Sequence, residues 1–223
     1  GGQPVLEVIF QRLPNTILLA TSAMIIAILL GVPLGFLAAY NKGTISDTFI
    51  MILAISGISM PHFWLGLILL FIFAVDLGWL PVSGSGLLNL VLPALTLGIS
   101  NAAIFARLTR TSMIEILQQD FVITALAKGL PKKYVLRKHV LRAGLIPLVT
   151  MMGMQFAFMM GGAIVVENIF SWNGVGRMAV EAIFQRDYPI IQGFILTFSV
   201  IVVFVTISLD VIYAFIDPRI RRS

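Results

Sequence analysis

A chain of 223 residues that is 59% hydrophobic and only 11% charged falls far short of the roughly 25% charge that a soluble domain uses to face water. With a mean hydropathy of +1.01, its apolar residues must face a second apolar phase, which is lipid. There is no cysteine, so disulfides, thiolate zinc sites and a cysteine nucleophile are excluded; the net charge of +5 sits between hydrophobic runs, a membrane pattern and not a nucleic-acid footprint.

The chain opens without an initiator Met, and residues 1–10 lack the basic start and apolar stretch of a signal peptide. Five stretches reach the roughly 20 apolar residues that cross a bilayer as helix. The first runs from Ile17 to Tyr40 and holds Gly31, Pro33 and Gly35, which membrane helices tolerate. The second, Phe49 to Val75, is longer than the hydrocarbon is thick; a tilt or a kink at Pro61 is expected. The third, Asn89 to Ala106, is the weakest, diluted by Ser100 and Asn101. The fourth runs from Gly144 to Val166 and the fifth from Ile190 to Ile216.

The loops set the orientation. Lys42, Arg107, Arg110, Lys128, Lys132, Lys133, Arg137, Lys138, Arg142, Arg219, Arg221 and Arg222 fall on one side. Only Arg12, Arg177 and Arg186 fall on the other. The positive-inside rule puts the basic side and the C-terminus in the cytoplasm, and the N-terminus outside. Outside lie a turn-rich connection around Trp79 and a longer loop, Asn168 to Pro189, with an amphipathic piece from Arg177 to Phe184.

The informative segment is the cytoplasmic stretch from Asp120 to Pro147, DFVITALAKGLPKKYVLRKHVLRAGLIP. A short helix, Phe121 to Lys128, is expected to stop at Gly129, a suitable residue for a left-handed cap. Pro131 then opens a second, basic helix to Arg142. Two helices around a Gly turn, outside the membrane, form a knob that can dock into a partner.

This segment resembles the EAA coupling loop of binding-protein-dependent ABC importer permeases. In that pattern Glu-Ala-Ala is followed by three residues, Gly, nine residues, then Ile, any residue, Leu and Pro. Ala125, Gly129 and Leu141 fit, whereas Ile123, Thr124, His139 and Arg142 depart from it. TALAKGL and RKHVLR are similar to the loop of the dipeptide, oligopeptide and nickel branch. RLPNT (12–16), SGISMPHFWLG (56–66), LGWLPVSG (77–84), VVENIFSWNGVGR (165–177), RDYPIIQG (186–193) and DPRIR (217–221) resemble the first of that branch's two permease subunits, in the same order.

The resemblance implies an all-α polytopic membrane protein with the MetI-like type I importer permease fold. Residues 1–223 are then one transmembrane permease domain, with the coupling loop at 120–142. The family core has six transmembrane helices, so the five here, with an outside N-terminus, point to a first helix upstream of Gly1 in the parent chain. It further implies a second permease subunit, two ATPase subunits, an external substrate-binding protein and a prokaryotic inner membrane. Within the loop it singles out Thr124, Ala125, Lys128, Gly129, Leu130, His139 and Leu141 for ATPase coupling. Dipeptide, oligopeptide, glutathione and nickel all stay open as substrates.

The remaining candidates come from the residues. No GxxxxGK[ST] loop, paired-carboxylate site, HExxH or GxSxG occurs, so the chain is not expected to be an enzyme or to hold a cofactor. Glu167 and Asp210 are ionisable groups near or inside spans and are gate or pathway candidates. Simple exposure of Glu167 and an interhelical hydrogen bond from Asp210 are the plainer accounts. Met154, among Met151, Met152, Met159 and Met160, either lines a pathway or packs. His62 stands alone, which is a poor metal site. An ion-coupled secondary transporter, with buried acids at broken helices, is the rival function.

The charge asymmetry makes a direct prediction. Single cysteines at Ser85 and Lys132 of this cysteine-free chain will react with impermeant maleimide from opposite sides of the membrane. Labelling of both from outside intact cells would overturn the orientation.

Overall fold

A computed structural model of the chain describes residues 4–84, 86–135 and 140–216. The described residues form helices α1 (Val5–Tyr40), α2 (Ile45–Ser59), α3 (His62–Leu70), α4 (Leu87–Leu117), α5 (Asp120–Ala127), α6 (Lys132–Val135), α7 (Leu141–Ile169), α8 (Val175–Gln185) and α9 (Tyr188–Ile216). A π-helical turn, Phe71–Asp76, continues α3. Four helices are long and apolar enough to cross a membrane, and the pair α2–α3 supplies a fifth crossing if counted as one span.

That pair departs from the expected kink. It is bent by 100° between Ser59 and His62. Pro61 has no N–H to return to the Gly57 carbonyl, and the residue before a proline is pushed out of the helical region. Met60 accordingly takes ψ 124°. Two helices meet at a corner where one bent span was expected.

The third stretch, weakest by hydropathy, becomes the central helix. Most of its apolar window is buried within the subunit, while none of the α9 window is. Lipid-facing helices need uniformly apolar surfaces, whereas an enclosed helix can carry polar side chains if they are satisfied. In α4 three of them are bonded to its own backbone: Thr96 to the Leu92 carbonyl at 2.8 Å, Ser100 to Thr96 at 3.2 Å and Asn101 to Leu97 at 2.7 Å; the buried Thr109 hydroxyl makes no such bond.

Helix α1 runs parallel to α4 at close range. Gly31 lies over Ala102 and Phe105, and Gly35 over Ala106 and Thr109. A small residue every four positions lets two membrane helices approach until their backbones nearly touch. Helix α7 packs antiparallel on the same core, pairing Gly162 with Leu97 near one end and Gly144 with Met113 near the other. The Asp47 carboxylate on α2 accepts a bidentate bond from Arg110 on α4 at 2.5 and 2.8 Å, plus the Gly43 N–H at 3.0 Å. Thr44 caps α2. At 36 residues, α1 is about 54 Å long; residues 5–16, which precede the expected span, extend it by about three turns.

Gly35→Val places its Cβ against the Ala106 carbonyl. We predict a loss of about 1–3 kcal/mol in unfolding free energy measured in mixed micelles. Gly161→Ala, whose nearest neighbour is 4.0 Å away, will be neutral or stabilising. Equal effects at the two positions would rule out the close α1–α4 contact.

Candidate functional site

The knob is built as its sequence dictates. Helix α5 ends at Ala127, Lys128 N–H bonds the Thr124 carbonyl at 3.0 Å, and Leu130 N–H reaches back to the Ala125 carbonyl at 3.3 Å. That long return bond closes a Schellman cap, which requires a left-handed residue between the two. Gly129 supplies it, at φ +80°. A Cβ there would meet nothing within 4 Å, so the position is constrained by its backbone and not by packing.

The knob is fastened from beneath. Val122, Val135 and Val140 are buried with Met113 and Ile116 of α4 and Ala39 of α1, and Ala125 and Leu141 pack half-buried on this cluster. Phe121, Ile123, Leu130 and Tyr134 are exposed above it, with Thr124 and Lys128 between them. The expected basic helix to Arg142 is shorter in its described part, Lys132–Val135; from Leu141 the chain already belongs to α7. Proposed loop residue His139 lies outside the described residues. Of the loop residues singled out from the sequence for coupling, Leu130, Thr124, Lys128 and Gly129 are exposed, whereas Ala125 and Leu141 pack against the buried cluster; the exposed Phe121 and Ile123 and the anchoring Val122 between them were not singled out.

At the other end of the bundle, Glu167 corrects the plainer expectation. It is fully buried, with 0% exposure. Thr16 donates its hydroxyl to Glu167 Oε1 at 2.5 Å, and Arg177 N–H donates to Oε2 at 2.9 Å. The same Thr16 oxygen accepts from Val175 N–H at 2.9 Å. Two orphan donors at the start of α8 are thus satisfied by side chains from α1 and α7, with the carboxylate set at the positive end of the helix. A Cβ on Gly176 would stand 2.6 Å from Ile164 Cα, and one on Gly174 would fall on the Glu167 carboxylate; the W-N-G-V-G-R turn has room only for glycine. Trp172 Nε1 donates to the Asn15 carbonyl at 3.0 Å, and Asn15 Nδ2 to the Asn173 carbonyl at 2.7 Å. Arg177 bonds Glu181 at 2.9 Å and the Ser171 carbonyl at 2.7 Å.

The other pathway candidates are scattered. Met154 is exposed on α7, while Met159 and Met160 are buried and pack. Asp210 lies on α9, and its side chain is outside what is described. Between the two ends, a cavity of about 450 Å³ opens at the α2–α3 corner, and sequence reasoning missed it.

Comparison with known proteins decides the family. Residues 31–222 match the binding-protein-dependent transport system inner membrane component. The chain belongs to that family. It is the permease subunit of an ABC importer, a polytopic membrane subunit and not the ATPase, which removes the ion-coupled rival. It is 46% identical over 220 residues to the glutathione transport system permease protein GsiC of Salmonella typhimurium (strain LT2), covering 98% of this chain and 72% of that one. Identity to the Escherichia coli (strain K12) protein of the same name is 44% over the same span, with the same coverage. The fold matches the inward-facing methionine ABC transporter MetNI with TM-score 0.83 at 16% identity, covering 97% of this chain and 100% of that one.

Glu167→Ala leaves the Arg177 N–H and the Thr16 hydroxyl without their acceptor. We predict a stability loss of about 3 kcal/mol in this permease. A double-mutant cycle with Thr16→Val will give a coupling of about 1 kcal/mol or more. Additive effects would show that the bond contributes nothing.

Proposed function

We propose that this permease, with a second homologous permease subunit, forms the membrane pathway of an importer for glutathione or other short peptides. The observation that carries the substrate class is the 44–46% identity, over 98% of the chain, to permeases named for glutathione transport. Glutathione is itself a tripeptide, so the two substrate readings share one chemistry.

The energy enters from separate ATPase subunits through residues 120–142. Supporting this are the rigid attachment of the knob to α1, α4 and α7 and the apolar face of Phe121, Ile123, Leu130 and Tyr134 that it leaves outward. Such a face gains by burial in a partner's groove. The basic end, the knob and the C-terminus face the cytoplasm of a prokaryotic cell, following the charge asymmetry. An external binding protein delivers substrate to the end where Glu167 holds α8.

Gly129→Asp tests the coupling role. A left-handed Asp costs about 1 kcal/mol, and nothing crowds the side chain, so the variant will insert and assemble. It will carry a charge into a surface that must lose water on docking, unfavourable unless paired. We predict loss of labelled glutathione and dipeptide uptake, and ATP hydrolysis in the complex that no longer responds to loaded binding protein. Trp79→Ala, at the opposite end, will leave ATPase docking intact. Normal uptake and normal stimulated hydrolysis in Gly129→Asp would remove the loop from the coupling path.

A further inference from the structure

The cavity at the α2–α3 corner has a chemistry that points to a ligand. It lies midway between the knob and the Glu167 end, bounded by α4 from Leu97 to Ile104 and by α7 from Gln155 to Gly162. Five uncharged polar side chains line it: Ser59, His62, Ser100, Asn101 and Gln155; none of its lining residues is charged. Ser59 and Phe158 at its rim are exposed, so the cavity is open to a visitor. Its volume lies in the range of about 300–1,000 Å³ common to small-molecule sites.

Polar groups in a membrane span are costly unless they are paired. Here acceptors predominate. The hydroxyl protons of Ser59 and Ser100 are given to their own helix, at the Ile55 and Thr96 carbonyls, which leaves their lone pairs toward new donors. His62 Nδ1 is buried and makes no hydrogen bond. Pro61 offers the Gly57 carbonyl no donor. Beside these acceptors sits an amide pair: Gln155 Nε2 bonds Asn101 Oδ1 across α7 and α4, and each carboxamide has a further N–H.

A free ion would find no counter-charge among these lining residues, and a wholly apolar ligand would leave the polar groups unpaired. A peptide group carries an N–H for the acceptors and a carbonyl for the amide donors, on one rigid plane. Phe158 and Met159 add an apolar wall that adapts to varied side chains. We propose that this cavity is a binding site for the main-chain amides of a short peptide in passage, a reading that rests on the peptide-import function above. Neutral hydrogen bonds suit such a site, because a substrate in transit must bind well enough to enter and weakly enough to leave.

The test uses the assembled complex in proteoliposomes, with its ATPase and binding protein. The substrates are a tritiated tripeptide and the same tripeptide methylated at its central amide nitrogen. Titration of each onto the isolated binding protein sets concentrations at which both are fully loaded. The methylated peptide is expected to be carried about tenfold more slowly, the factor that goes with about one lost hydrogen bond. His62→Phe removes the Nδ1 acceptor without cutting any bond made by that atom in the subunit, and Gln155→Leu removes one side of the amide pair. Both variants are expected to bring the two rates toward equality, and His62→Phe holds the test if Gln155→Leu fails to assemble. Peptide uptake with equal rates in the unaltered complex, or with an unchanged tenfold ratio in the variants, would overturn the site and leave the import function standing. Uptake of neither peptide by the unaltered complex would overturn the import function and the site together.

Discussion

The contact between α1 and α4 sets the geometry that the other helices inherit. Lipid supplies no hydrophobic drive for two apolar helices to meet, so close approach must be gained from dispersion and shape. Gly31 and Gly35 on one side, with Ala102 and Ala106 on the other, let the backbones come together over two turns. Once α4 is held this way, its remaining surface receives α7, the α2–α3 pair and the knob. Its polar residues are thereby taken away from lipid, where they would be expensive. A larger side chain at either glycine would separate the two longest helices and with them every element that α4 supports.

Two polar knots, one at each end, complete what packing begins. Arg110 and Asp47 bind α4 to α2 next to the basic loops. Thr16 and Glu167 bind α1 and α7 to the start of α8 at the opposite end. Buried ionic groups add little net stability when measured against apolar replacements, but breaking one partner leaves an uncompensated charge. Their effect is therefore to fix arrangement: α8 can sit over this end of the bundle in one register only, because its first N–H groups need these particular acceptors.

Hydropathy and charge made the spans, the basic end and the knob legible, since lipid thickness and insertion impose those patterns locally. The cap at Gly129 was legible too, because a helix, a glycine and a proline within a few residues leave one stereochemical solution. The central place of α4 was not. Ser100 and Asn101 read as dilution of a span, and only the neighbours reveal that they mark an enclosed helix. The Thr16–Glu167 bond joins residues 151 positions apart, and no periodicity announces such a pair. Pro61 signalled a break but not its depth, because the angle depends on what α3 packs against: Thr96 of α4 and Phe170 at the end of α7 both meet Gly66.

If the knob couples to an ATPase as proposed, the same geometry constrains how force applied there would reach the cavity. Leu141, in the cluster under the knob, and Gln155, in the cavity wall, lie on one unbroken helix, about 21 Å apart along its axis. Helix α4 likewise runs without a break from Met113 under the knob to Asn101 in the cavity. The Asn101–Gln155 bond ties these two helices together at that level. On the proposed coupling role, a load on the knob would act on both walls together. The third wall is the α2–α3 corner, where backbone hydrogen bonding is interrupted at Pro61 and α2 is tied to α4 near its far end by Asp47. Relative motion there would change the distance from His62 to the amide pair while leaving the pair intact. On the proposed coupling role, docking at one end would then alter how firmly the cavity holds a peptide group, without any rearrangement inside the α1–α4–α7 core.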